Sequence, residues 1–328
     1  MTELVSIFKL LTQSLVSPVI LFFLSGIFIG LLKTDLQIPQ PISKFLSLYL
    51  MIAIGFKGGV SLALTPELTF KIFLLFIVSI LISFFLPFIS YFFLRTTTKL
   101  DLPTAAALAA HYGSVSIVTF MTAESFLKNK NIYYSGYLIA ILALMEAPAI
   151  LSGIYLSKYK KNNIDESTFN FLEILRSNGC LVLLIASFII GLISGQTGYD
   201  KLKGFFDSPF QGILAVFLLD MGLLVAEQFK YVKQFTLNLF LFGLYMPIVG
   251  SLIGLLVSYI FGLDIGSATL FMVLCASASY IAVPAAMRIA LPEAQVAIYL
   301  PMSLVVTFPF NVIVGISLYY SIAKFFLG

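Results

Sequence analysis

Residues 234–263 read QFTLNLFLFGLYMPIVGSLIGLLVSYIFGL, a stretch without a single Asp, Glu, Lys or Arg. A helix rises about 1.5 Å per residue, so roughly 20 apolar residues cross the hydrocarbon core of a bilayer. This stretch is long enough, and its hydrophobicity is continuous rather than alternating, which selects a membrane-spanning helix over a β-barrel strand. Uncharged runs recur at Ile72–Leu94, Leu102–Ala123, Ile265–Met287 and Ala294–Ala323. The whole chain follows the same pattern: 60% of its 328 residues are hydrophobic and 10% are charged, against about 25% charged in soluble domains. The expected class is an all-α polytopic membrane protein.

The remaining bulk properties exclude other classes. A net charge of +4 is spread over loops with no basic stripe, so nucleic acid is not an expected partner; membrane lipid is. Cys180 and Cys275, the only cysteines, lie in or beside apolar segments and form neither a disulfide framework nor a zinc site. Glu3 and Lys9 precede the first apolar run without a small-residue cleavage pattern, so that run is expected to stay in the membrane.

About ten spans are expected, near 14–32, 45–64, 71–94, 102–127, 135–156, 178–195, 208–227, 235–262, 265–289 and 294–325, the fourth and ninth interrupted. Ser157–Asn178 is the most polar stretch and reads as a loop with a short amphipathic helix at Thr168–Leu175. The halves resemble each other. Phe28-Ile29-Gly30-Leu31 recurs as Ile189-Ile190-Gly191-Leu192, and Ile54-Gly55 as Met221-Gly222. Gly113-Ser114-Val115-Ser116 recurs as Ala276-Ser277-Ala278-Ser279, and Pro148 with Gly153 as Pro309 with Gly315. Five spans per copy place the copies in opposite orientation, the inverted-repeat plan of many secondary transporters. The expected division is a first repeat over 1–156, a linker loop over 157–178 and an inverted second repeat over 179–328.

Loop charges orient the chain. With the amino terminus outside, Lys33, Lys44, Arg95, Lys99, Lys158, Lys160, Lys161, Arg176, Lys230, Lys233 and Arg288 are cytoplasmic, against Lys9, Lys71, Lys128, Lys130, Lys201, Lys203 and Lys324 outside. That bias favours a plasma (inner) membrane protein with both termini outside and the central loop in the cytoplasm.

The chemistry is expected where spans four and nine are interrupted. Small polar residues stand in mid-run at Gly113, Ser114, Ser116 and Thr119, and at Ser277, Ser279 and Tyr280; Pro284 follows. Gly113 lowers helix propensity and Pro284 removes a backbone donor. A break at membrane depth is tolerated where protein or a water-filled cavity satisfies the backbone. The N–H groups opening the second half-helix attract an anion, and carbonyls closing the first half coordinate a cation such as sodium. The plainer use of such small-residue runs is close helix packing.

Several of these segments together resemble the sodium-dependent bicarbonate permease family known from cyanobacteria. They are Ile54-Gly55-Phe56-Lys57-Gly58-Gly59, Ser114-Val115-Ser116, Met145-Glu146-Ala147-Pro148-Ala149, and Ser277 through Pro284 with Arg288, Pro292, Tyr299 and Pro309. The resemblance spans nearly the whole chain in order. It implies a mobile core around crossed spans four and nine and sodium-coupled bicarbonate uptake. It also implies homotrimers and, in some members, a PII-like cytoplasmic regulator. No cofactor is implied beyond sodium as coupling ion. Glu146 aligns with the family's acidic residue in span five, and sodium is expected at Ser114, Ser116, Glu146, Ser277 and Ser279. The chain departs from the family at Tyr280, where bicarbonate transporters carry Asp, at Val283 for Gly, at Ala286 for Thr, and at Ile117-Val118 for Gly-Ser. Its central loop is also shorter.

Three further ionisable residues fall within spans. Lys57 either pairs with a carboxylate, Asp220 being the candidate, or snorkels to the outer interface. His111, the only histidine, reads as a packing residue before a proton relay. A carrier of another small monovalent or organic anion remains the alternative. A sodium/proton antiporter would need titratable carboxylates at the crossing, where Ser279-Tyr280 stand. The alternative from another class is a membrane-embedded enzyme or a receptor; no HExxH, paired-aspartate protease signature or suitably set Gly-x-Ser-x-Gly marks the first, and the second would not need two interrupted helices.

Overall fold

The computed structural model describes residues 17–64, 69–158, 179–232 and 235–328. These fold into thirteen helical segments: α1 Pro18–Leu31, α2 Gln40–Ala63, α3 Phe70–Thr97, α4 Leu102–Gly113, α5 Ile117–Asn129, α6 Tyr137–Leu144, α7 Glu146–Lys158, α8 Gly179–Phe206, α9 Phe210–Val232, α10 Leu237–Ile260, α11 Ile265–Ala276, α12 Ala282–Ala290 and α13 Val296–Leu327. Among the described residues there is no strand. Eight segments are long and apolar enough to cross a bilayer, with α4–α5 and α6–α7 each counted as one; α1 and α11 are shorter apolar helices. The chain is an all-helical integral membrane protein. The amphipathic helix expected at Thr168–Leu175 lies outside the described residues.

Polar side chains cap the starts of α10 and α11. Thr236 accepts from the Leu239 N–H (3.3 Å) at the head of α10, and Asp264 accepts from the Ser267 N–H (2.9 Å) at the head of α11; both satisfy orphan first-turn donors.

The helices pack as two blocks. In the first, α1 lies against α9, and α2 lies against α8. These pairs are tight because glycines let backbones touch: a Cβ on Gly59 would stand 1.9 Å from the Phe188 carbonyl oxygen, and one on Gly222 would stand 2.2 Å from that of Phe23. In the second block, α4 packs on α3 and α7, and α11 packs on α10 and the end of α13. Pro87 inside α3 meets Gly113, and Gly250 in α10, three residues after Pro247, meets the Cys275 carbonyl.

Burial separates their roles. In α4–α5, 94% of the most apolar window is inside the protein, against 28% in α3 and 17% in α8. The interrupted element is therefore the protein's core, and α3 and α8 show apolar side chains outward, as lipid-facing helices do. The sixth span differs from its expected limit at 195. Gly195 adopts φ +53, a left-handed conformation that glycine reaches freely. The chain bends there and continues helically to Phe206, carrying Tyr199, Asp200 and Lys203.

Candidate functional site

The fourth and ninth spans break where the small polar runs predicted. α4 stops at Gly113; Ser114 and Ser116 are extended, and α5 starts at Ile117. α11 stops at Ala276, Ser277 is extended, and α12 starts at Ala282. Pro284 occupies the first turn of α12, where its missing N–H costs no helical bond.

The two breaks are bonded to each other. The Ser279 N–H donates to the His111 carbonyl (2.9 Å), and the Ser116 N–H donates to Ser277 Oγ (2.9 Å). The His111 ring closes the brace: its Nδ1 stands 2.5 Å from the Ser279 carbonyl and 2.8 Å from Ser303 Oγ. A carbonyl can only accept, so Nδ1 carries the proton. His111 is fully buried and faces the ring of Tyr299 at 5.1 Å between centroids. It is a cross-brace between two discontinuous helices. Asn311 secures the other end, donating from Nδ2 to the Ala276 carbonyl (2.9 Å) while accepting from the Tyr319 hydroxyl (2.7 Å). Asn311 opens the second of two π-helical segments in α13, Met302–Thr307 and Asn311–Gly315, a local geometry frequent at functional sites.

Span five brings a carboxylate to this crossing. Its helix is interrupted at Met145, whose carbonyl accepts from Ser83 Oγ at 2.5 Å. Glu146 restarts the helix in the first turn of α7, where the helix dipole favours negative charge. Its Oε2 lies 3.4 Å from the Val115 N–H and its Oε1 lies 3.4 Å from Ser279 Oγ. The Ser114 hydroxyl stands beside it without hydrogen-bond geometry.

A small cavity opens between this crossing and the α2–α8 pair. Ser116, Glu146, Ser279 and Tyr280 line it with Val115, Ile117, Leu142, Ile281 and Ala282, and Met51 and Leu184 close it from the other block. Its inner space of about 10 Å³ is room for about one water. No cationic side chain lines it.

The expected site residues thus divide. Ser116, Glu146, Ser279 and Tyr280 face the cavity, with Ser114 beside them. Ser277 supports the break from behind, also donating to the Leu274 carbonyl (3.1 Å). Thr119 is folded onto Ser116 Oγ, with its N–H at 3.2 Å and its hydroxyl at 2.9 Å. Gly113 is pressed against the Pro87 ring, where a Cβ would sit 2.3 Å away. Of the carbonyls at the breaks, those of His111 and Ala276 are engaged by the Ser279 N–H and Asn311 Nδ2. Tyr280 is buried, its ring 5.1 Å from that of Phe308, filling space that a smaller acidic residue would leave open. Among the described residues no cluster of three His, Cys, Asp or Glu stands ready for a transition metal.

The Lys57–Asp220 pair is not formed. Asp220 accepts from Ser43 near the start of α2. Lys57 lies fourteen residues further along that helix, about 21 Å away at 1.5 Å per residue. It pairs instead with Asp207 (3.5 Å) and sits 3.9 Å over the Phe210 ring. Sequence reasoning passed over Met51, Leu184, Ser303 and Asn311 as site residues. The first two are ordinary apolar residues in periodicity, and the others sit in a span with no mid-run serine cluster to mark it.

A family model described as the Na+-dependent bicarbonate transporter superfamily matches residues 18–324. No match is found among curated proteins.

Proposed function

We propose that the chain, which belongs to the Na+-dependent bicarbonate transporter superfamily, is a sodium-coupled importer of bicarbonate. The observation that carries this reading is Glu146, held between two broken helices in a cavity without a lining cation. A lone carboxylate there attracts a cation and repels an anion that arrives by itself. At about 4 Å two unit charges interact by about 4 kcal/mol at an effective dielectric near 20. Sodium bound among Glu146, Ser114, Ser116 and Ser279 cancels that repulsion and adds its own attraction, so anion and cation bind best together. The neutral N–H and hydroxyl groups of the breaks then hold the anion.

The cavity is too small for bicarbonate as it stands. Loading therefore requires the α2–α8 pair, with Met51 and Leu184, to draw away from the crossing. The same reading takes the architecture as ten spans in two inverted repeats, 1–156 and 179–328, joined by the loop 157–178. The exchange of partners between halves, α1 with α9 and α2 with α8, supports it. It places the protein in the inner membrane as a homotrimer, both termini outside and the central loop inside. With so short a central loop, a PII-like regulator binds weakly or uses other loops; a tight complex abolished by deleting residues 162–170 would contradict that.

The experiment is uptake of labelled bicarbonate into proteoliposomes under an inward sodium gradient, with nitrate, chloride and acetate as competitors. Competition by unlabelled bicarbonate alone is expected. Equal or stronger competition by another anion would make that anion the substrate.

A further inference from the structure

A second polar cavity, of about 360 Å³, lies further along the groove between α2 and α6. Lys57, Glu124, Lys128, Tyr134, Tyr199 and Asp207 line it. Its charges are unequally matched. Glu124 Oε1 takes the Lys128 ammonium (2.8 Å) and the Tyr134 hydroxyl (2.6 Å), but its Oε2 is buried with no hydrogen-bond partner. The Lys57 side chain is 10% exposed and its Nζ makes no hydrogen bond, while the paired Asp207 is 47% exposed and 3.5 Å away. Charged pairs with good geometry close to about 2.7–2.9 Å. An ammonium that sits over the Phe210 ring with its carboxylate partner 3.5 Å away, and a carboxylate oxygen with unused lone pairs, thus lie closed in the wall of one cavity, each costly to leave without a hydrogen bond.

One ligand satisfies both. It enters in place of the half-exposed Asp207, accepts from Lys57, where negative charge adds attraction, and donates to Glu124 Oε2 through a hydroxyl. Bicarbonate has both groups; nitrate and chloride have only the first. The cavity lies in line with the central one along α2 and α6. Lys57 and Met51 lie on α2 six residues, about 9 Å, apart, and Ile139 and Leu142 lie one turn apart on α6. Met51 and Leu142 line the inner cavity, and Lys57 and Ile139 line this one. Between them Gly58 meets Ile139, where an added Cβ would stand 2.6 Å from the Ile139 Cβ. We propose that this cavity is an antechamber where bicarbonate binds Lys57 and Glu124 before passing the Gly58–Ile139 contact to the central site. This rests on the transport reading above.

The test is initial uptake rate against bicarbonate concentration in proteoliposomes, for wild type, Lys57→Met, Lys57→Arg and Asp207→Asn. Lys57→Met is expected to raise the apparent KM by at least about threefold with kcat retained, as loss of a recruiting charge does. Lys57→Arg should restore most of it. Asp207→Asn, at a half-exposed position that tolerates change, removes the competing anion and should lower KM. If the Lys57–Asp207 pair only held the fold, both neutralisations would act in the same direction. A KM for Asp207→Asn equal to or above wild type overturns the antechamber even where Lys57→Met does not fold; so does an unchanged KM for Lys57→Met. Wild-type liposomes that take up no bicarbonate overturn the transport reading itself, and the antechamber with it.

Discussion

Ser277→Ala and Ser114→Ala remove the same atom from neighbouring places and should both lower uptake, but only the first should lower stability. Ser277 Oγ is the acceptor of the Ser116 N–H at 2.9 Å, and both residues are buried. Its loss strands a backbone donor in the core of a membrane protein, at a cost of about 1–3 kcal/mol, and frees the two breaks to shift against each other. Purified Ser277→Ala should therefore unfold a few degrees below wild type and lose uptake, and Ser277→Thr, which keeps the hydroxyl, should recover both. Ser114 Oγ makes no hydrogen bond within the protein, so Ser114→Ala should change stability by less than about 0.5 kcal/mol yet reduce uptake if that hydroxyl meets the ion. Thermal unfolding followed by circular dichroism or tyrosine fluorescence, the chain having no tryptophan, with uptake on the same preparations, separates the two. Ser277→Ala melting with wild type would refute the bracing of the breaks. Ser114→Ala transporting at the wild-type rate and sodium dependence would remove Ser114 from the site.

Glu146→Gln keeps the shape but removes up to about 4 kcal/mol of attraction for a cation at about 4 Å, so uptake should fall most at low sodium; an equal fractional loss at every sodium concentration would contradict a sodium ligand. Tyr280→Asp should strengthen sodium dependence while destabilising the protein by about 3 kcal/mol, because the ring packed on Phe308 is lost; unchanged sodium affinity in a folded variant would show that position 280 does not face the ion. Gly59→Ala forces a Cβ to 1.9 Å from a backbone oxygen of α8 and should prevent isolation of a folded protein, whereas Gly212→Ala meets nothing within 4 Å and should be near neutral; similar melting of both by fluorescence would contradict the close α2–α8 packing.

The fold was legible because lipid leaves the chain few options. Continuous apolar runs can only be helices, and the mid-run polar stretches at Gly113–Ser116 and Ser277–Tyr280 located both breaks to within a few residues. Glu146 was legible as a charge beside a proline in an apolar span. Contacts between distant segments were not. The His111 ring reaches the Ser279 carbonyl across 168 positions of sequence, and nothing local marks a carbonyl as that partner. Lys57 was matched to Asp220 because both are charges in corresponding spans; the pairing failed because they stand at different heights on the α2–α9 block. Its actual partner, Asp207, immediately follows a helical extension past Gly195, where residues 196–207 read as a loop. Gly113, Thr119 and Ser277 do not line the cavity; their contacts are with the Pro87 ring, Ser116 Oγ and the Ser116 N–H, and no local signal in the sequence distinguishes them from the residues that do.

On the function proposed above, Glu146 and the two breaks couple sodium to bicarbonate. Initial bicarbonate uptake into proteoliposomes, measured against external sodium at fixed pH with choline as replacement, tests it most directly. The rate is expected to rise with sodium, saturate, and fall to the empty-liposome level in choline. A wild-type rate unchanged in choline would contradict it and leave a proton-coupled or passive anion carrier.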